Sequence, residues 1–231
     1  MDPTKRVVPI FAIDESNNIK HFLGTGTFVT DVPLLATALH VVKDWPGPFA
    51  IAVLPDTHRI VRAVLAARDE AADLALLEVP GYPASESVRL AEDSEISSNQ
   101  VVVTFEYGTT RTAGKSIHLA PATRIGNVTR TLNLTDRFGK AGEEALELSF
   151  PALRGASGSP VLSNTTFRLW GIVIANVSYH LLPAQIETVI DEDGQLAGAM
   201  QFMLPQGIAV HVKHLRNLLA QRQAPLGGAA G

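Results

Sequence analysis

Apolar residues in this chain recur mostly at every second position or in short unbroken runs, and rarely at helical spacing. Segments 7–13, 22–29, 34–36, 49–54, 60–67 and 74–79 fit that pattern in the first part of the chain. After a polar stretch at 92–99 the same holds for 100–106, 116–119, 123–134, 146–150, 160–162, 169–177 and 207–212. Each run is rich in β-branched or aromatic residues and is bounded by Gly, Pro, Asn or Asp, which predicts strands joined by turns. So many short strands predict an all-β chain, a barrel or a sandwich. The polar stretch splits them into two sets of roughly a hundred residues, an ordinary size for one barrel-like unit. Two small barrels side by side are therefore expected. Only the end of the chain changes period. Val212, Leu215, Leu218 and Leu219 alternate with Lys213, Arg216, Gln221 and Arg222, which predicts an amphipathic helix over 213–223. The Gly/Ala-rich residues 224–231 read as a flexible tail.

Composition narrows the class. A chain of 231 residues with 46% hydrophobic and 18% charged side chains can bury a core, which excludes disorder, collagen and coiled coil. Nineteen basic against 23 acidic residues give a net charge of −4, with no basic patch to expect nucleic acid on. The absence of cysteine removes disulfides, thiolate metal sites and a thiol nucleophile, and it fits a reducing compartment such as the cytoplasm. Lys5-Arg6 precedes an apolar run that contains Pro9 and stops at Asp14-Glu15, so a first strand is the better reading than a leader peptide. No run approaches the roughly 18 apolar residues that span a bilayer, and no membrane partner is expected. His21, His58, His118 and His180 lack ligand spacing. His211 and His214, three apart, read as solvated residues at the start of the helix rather than as a metal pair. Neither metal nor cofactor is expected.

Three segments carry candidate chemistry. In 24–42 a strand, a turn and a second strand lead to His40 at the start of a helical turn. At 72–79 Asp73 opens an apolar strand, where a carboxylate must be solvated or paired, with Asp69 and Glu70 as neighbouring alternatives. At 154–162 two glycines flank Ser157 and Pro160 opens a strand, a loop able to set backbone N–H groups around a hydroxyl. Each segment alone reads more readily as a core histidine, a turn carboxylate or a Gly/Ser turn. Together, in the order His, Asp, Ser, they match one of the chain orders of the acyl-transfer triad.

Thr37-Ala-Leu-His40-Val-Val, Asp73-Leu-Ala-Leu-Leu and Gly155-Ala-Ser157-Gly-Ser-Pro160 resemble the three motif blocks of the trypsin/chymotrypsin-like serine peptidases, above all the disulfide-free bacterial branch with the HtrA-type enzymes. Phe105–Gly108, Trp170–Asn176 and Gly207–Val212 are similar to its turn early in the second barrel, its substrate-binding strand and its last strand. No PDZ-like segment follows the second barrel, so the resemblance stops at the protease domain. It implies two six-stranded antiparallel β-barrels with a C-terminal helix, divided as 1–95 and 96–212, then 213–223 and the tail. It also implies a serine endopeptidase acting on protein or peptide, with His40, Asp73 and Ser157 catalytic and the N–H groups of Gly155 and Ser157 as oxyanion hole. The substrate pocket would be walled by Pro151, Arg154, Ile174, Ala175, Asn176 and Gly207.

Two departures matter. Ser159 stands where members commonly carry Gly, a tolerable exchange of small residues, and Ala156 stands where secreted members carry an Asp that pairs with a new N-terminus. Activation by N-terminal cleavage is therefore not expected, which fits an intracellular enzyme regulated in some other way, for example by a partner protein. No acid lies between Ser149 and Ser157, and Asn176 stands where deep pockets have Gly, so cleavage after small or medium apolar residues is expected. The insertion 177–206 is read as a short helix at 184–190, a turn at 191–194 and an apolar run at 196–204 bordering the pocket. A catalytically silent binding module on this fold is the alternative. An α/β-hydrolase fails, because its G-x-S-x-G elbow and its later Asp and His are not matched.

Overall fold

A computed structural model describes residues 5–30, 33–52, 60–82, 87–113, 116–135, 141–180, 186–190, 196–201 and 203–223. In the first part, strands β1 (Val7–Ile13), β2 (Ile19–Phe28) and β3 (Leu34–Ala38) lead into a single helical turn, α1 (Leu39–Val42). Strands β4 (Phe49–Ala52), β5 (Ile60–Asp69) and β6 (Leu74–Glu78) follow. They close into an antiparallel barrel in the order β1-β2-β3-β6-β5-β4. β1 and β3 are buried at every position, as is β6 except for its last residue, as continuous apolar runs require.

The second part holds β7 (Val101–Glu106), β8 (Arg111–Ala113), β9 (Ser116–His118), β10 (Ala122–Thr135), β11 (Ala141–Leu148), β12 (Pro160–Ser163) and β13 (Leu169–His180). Then come β14 (Ile186–Ile190), β15 (Leu196–Gln201), β16 (Met203–His211) and the helix α2 (Val212–Gln223). Six of these strands close a second barrel, β10-β11-β16-β13-β12-β7, while β8–β9 and β14–β15 are separate hairpins. Closure leaves neither barrel with an open edge. One apolar cluster runs through both, joining Phe28, Leu35 and Leu77 to Ile172, Ile208 and Leu215. A smaller one around Val128, Leu148 and Trp170 fills the rest of the second barrel. Leu215, Leu218 and Leu219 of α2 are buried on β5 and β13, so the helix straps one barrel to the other. Among the described residues no helix is long and apolar enough to cross a membrane.

β2 shows how the barrels interlock. Gly24 and Gly26 alternate with Thr25 and Thr27, and a Cβ on Gly26 would strike Leu35 and Ile10 inside the barrel. The threonines, fully buried, face the other way and bond the backbone of the loop before β12: Thr25 Oγ1 donates to Gly155 O at 2.9 Å and Thr27 Oγ1 to Gly158 O at 3.4 Å.

Two expectations are corrected. Residues 186–190 of the expected helix form strand β14, paired from Ile186↔Gln201 to Ile190↔Leu196, because Ile-Glu-Thr-Val-Ile is β-branched at four of five positions and suits a pleated ladder. The expected turn at 191–194, like the tail 224–231, lies outside the described residues. His211 and His214 are not solvated, being only 4% and 7% exposed. Tertiary packing of the end of β16 and of α2 overrides their polar character. His214 Nδ1 lies 2.8 Å from Glu143, His211 Nδ1 lies 3.8 Å from Asp93, and Lys213 pairs with Glu144.

Burial pushes both imidazoles below their usual pKa, against the opposing pull of Glu144 and Asp93 on His211 and of Glu143 on His214. The unfolded chain then takes up the protons first. Their stability contribution is complete above the ordinary imidazole pKa of about 6.5 and is lost as pH falls through the folded values. The urea midpoint should therefore drop between about pH 7.5 and pH 5.5, less steeply in the His211→Gln/His214→Gln variant. A second expectation concerns backbone contact. Gly158 has φ +88°, and a Cβ there would overlap the Thr25 carbonyl and the Thr37 hydroxyl, whereas Gly81 has φ +74° and open space. Gly158→Ala should cost about 3 kcal/mol and Gly81→Ala only about 1 kcal/mol, read as the difference in Tm.

Candidate active site

His40 sits in α1, directly after β3, and Asp73 closes the turn into β6, the strand beside β3 in the barrel. Asp73 adopts the left-handed conformation with φ +52°, which turns its carbonyl and its carboxylate toward α1 together. The carbonyl accepts from Leu39 N at 2.8 Å, and Oδ1 accepts from His40 N at 2.9 Å. Oδ2 lies 2.6 Å from His40 Nδ1. Asp73 is thus engaged three times by α1, twice through its carboxylate, at the place where the imidazole must be oriented. Asp69, the neighbouring alternative, accepts instead from Ala71 N and Ala72 N at 3.0 and 3.1 Å, a turn-capping role, and Glu70 pairs with Arg68 on the surface.

Ser157 arrives from the second barrel. Its Oγ lies 2.9 Å from His40 Nε2. Around it the chain turns tightly: Ala156 N donates to Leu153 O at 2.8 Å, Ser159 N to Ala156 O at 3.0 Å, and Gly155 takes φ +93°. A Cβ on Gly155 would meet the Phe22 ring, so only glycine lets that ring close over the loop. The side chain of Ala156 is fully buried, in surroundings with no use for a charge. No internal acceptor takes the N–H of Gly155 or Ser157 among the described residues.

The six residues expected to wall the substrate pocket divide. Ile174 is buried beside the bulge between Val173 and Ala175. Gly207 N donates to Phe150 O at 2.8 Å, and a Cβ on Gly207 would crowd that oxygen. Asn176, expected at an entrance, ties two segments together. Its Oδ1 accepts from Ala152 N at 2.7 Å and its Nδ2 donates to Ala152 O at 2.6 Å, a two-point clasp from β13 to the segment that contains Pro151. Arg154 alone of the six borders the open cleft next to Ser157. That cleft, of about 1000 Å³, runs past His40 to Phe22, Asp44 and Trp45 on one wall and to Thr109 and Arg111 on the other.

Several of these residues were not legible in sequence. Thr25 is the chief one: its N donates to Ser157 O at 2.9 Å, its hydroxyl accepts from Tyr107 N at 3.2 Å, and its carbonyl accepts from Thr37 Oγ1 at 2.7 Å. The alternation Gly-Thr-Gly-Thr in 24–27 was the available signal, because hydroxyls between glycines in the buried half of a strand need partners. Trp45, in edge contact with His21 at 5.3 Å, carries no comparable signal.

A family model described as trypsin-like peptidase domain matches residues 24–172. No curated protein matches the chain in sequence. Among solved structures, the chain is similar to Rv3671c from M. tuberculosis H37Rv, a serine-to-alanine mutant in inactive form, with TM-score 0.63 and 16% identity over 97% of this chain and 90% of that one. The MamO protease domain from Magnetospirillum magneticum gives TM-score 0.62 and 18% identity over 93% and 95%. The HtrA-type protease AlgW with a decapeptide gives TM-score 0.64 and 16% identity over 95% of this chain but only 64% of AlgW. At such identities the structural likeness is one of fold. The matched region, by contrast, spans well over half of the sequence, and the chain belongs to the trypsin-like peptidase family of serine proteases.

Proposed function

We propose that the chain is an endopeptidase that cuts proteins or peptides through a His40–Asp73–Ser157 triad and an acyl-enzyme. The observation that carries this is the continuous relay of 2.6 Å from Asp73 to His40 and 2.9 Å from His40 to Ser157. Ser157 Oγ attacks the peptide carbonyl while His40 Nε2 takes its proton, and Asp73 holds the tautomer and stabilises the imidazolium. The oxyanion is received by the N–H groups of Gly155 and Ser157. Collapse breaks the C–N bond, and the Nε2 proton leaves with the amine. Water, deprotonated by the same imidazole, then hydrolyses the ester and restores Ser157.

On the acyl side, the Asn176 clasp and the absence of an acid among residues 149–157 support a shallow, uncharged site for small or medium apolar residues such as Ala, Val or Leu. The hairpin β14–β15, inserted between β13 and β16, is proposed to border that side and to control admission. The cytoplasm is the proposed location, with a protein partner as regulator and neither nucleic acid nor membrane involved.

A fluorophosphonate probe should label the native chain and not Ser157→Ala, and labelling of Ser157→Ala would end this reading. Ser157→Ala and His40→Ala should each remove nearly all turnover with Tm unchanged, and Asp73→Asn should lower kcat by roughly four orders of magnitude. Damage from Asp69→Asn with a silent Asp73→Asn would overturn the third assignment. Peptide-library cleavage should favour Ala, Val or Leu before the scissile bond, and a strong Lys or Arg preference would contradict the uncharged pocket. Replacing 178–203 with a Gly-Ser turn should alter peptide kcat/KM.

A further inference from the structure

The two flanks of Ser157 are unequally built. On one side Asn176 spans to both backbone atoms of Ala152, and this clasp joins the two segments between which an acyl-side residue would insert. On the other side lies the cleft of about 1000 Å³ that His40 borders. The Nε2 atom of His40 is the one that hands a proton to the departing amine, so the residues after the scissile bond leave along this flank. Space and chemistry for recognition are therefore concentrated on the leaving-group side.

The cleft has distinct walls. Phe22 and Trp45, with Asp44, form one, and Arg111 and Arg154 stand on the other. Phe22 is fixed against Gly155, and the Trp45 indole donates to Pro48 O at 3.1 Å, so the aromatic wall is held in place. Both arginines are exposed and neither has a carboxylate partner among the described residues. Asp44 belongs to the opposite wall, beside Trp45. A guanidinium offers a fork of donors that suits a carboxylate. Two of them facing an apolar wall make a cleft in which an acidic group is paired while the neighbouring chain is covered.

Building on the assignment of Ser157 as nucleophile, we infer that this cleft carries substrate selection. It takes peptides that present a carboxylate just after the scissile bond, held by Arg111 and Arg154. The carboxylate can be an acidic side chain or the free C-terminus of a short product-side segment, which are the same chemistry from two sources.

Binding tests this without relying on turnover. Fluorescein-labelled hexapeptides with the acyl half Val-Ala-Ala and the leaving halves Ser-Glu-Ser, Ser-Gln-Ser or Ser-Lys-Ser, all as amides, would be titrated against the full-length Ser157→Ala chain by anisotropy. The Glu peptide should bind about fivefold tighter than the Gln peptide, the scale of one partly exposed ion pair, and the margin should shrink with added salt. Arg111→Glu should reverse the order in favour of Lys, with its melting curve as the check on folding. A Gln peptide with a free carboxyl terminus that matches the Glu peptide would assign the anion to the substrate terminus; one that matches its own amide would assign it to the side chain. Equal binding of the Glu and Gln peptides, or tighter binding of Lys by the parent chain, overturns the inference. Turnover of the same peptides by the native chain is read separately. Glu-selective binding with no cleavage would keep the cleft assignment and sink the peptidase.

Discussion

Backbone-to-backbone contact between β2 and the loop before β12 is the constraint on which the rest of the site depends. Thr25 N meets Ser157 O at 2.9 Å, Thr25 Oγ1 meets Gly155 O at 2.9 Å, and Gly158 leaves no room for a side chain between them. The contact crosses from one barrel to the other. His40 and Asp73 are fixed within the first barrel and Ser157 within the second, so their alignment is only as good as this seam. Because each bond involves a buried polar group, losing one partner leaves the other unsatisfied, which resists sliding of one barrel over the other.

Strain is spent in a few places. Asp73 holds a positive φ that a non-glycine residue adopts only when its surroundings compel it, and three hydrogen bonds from α1 supply that compulsion. Thr109 also has a positive φ, of +79°, and donates its N–H to Arg154 O at 3.2 Å. That bond ties the turn before β8 to the residue preceding Gly155.

The same seam separates two kinds of surface. On one side of Ser157, strand β13 ties down the backbone at Ala152 through Asn176. On the other side, the cleft is lined by the start of β2, the residues after α1 and the turn into β8. Arg111 and Arg154 there have no carboxylate partner among the described residues, which leaves them available to a ligand.

Much of this was written in local pattern. Period-two and unbroken apolar runs determined the strands, because alternation on a pleated ladder depends on neighbours along the chain. The leucine stripe of α2 and the residue types at His40, Asp73 and Ser157 were equally local. What only the tertiary structure decided concerns partners far apart in sequence. The Asn176–Ala152 clasp, the service of Thr25 to the loop around Ser157, and the burial of His211 at the end of β16 and of His214 in α2 all arise when distant segments close. Residues 186–190 became a strand rather than a helix because residues 196–201 lay alongside to pair with them. A hydroxyl, an amide or an imidazole shows its donors and acceptors in sequence, but which atom satisfies them depends on where the fold brings the backbone.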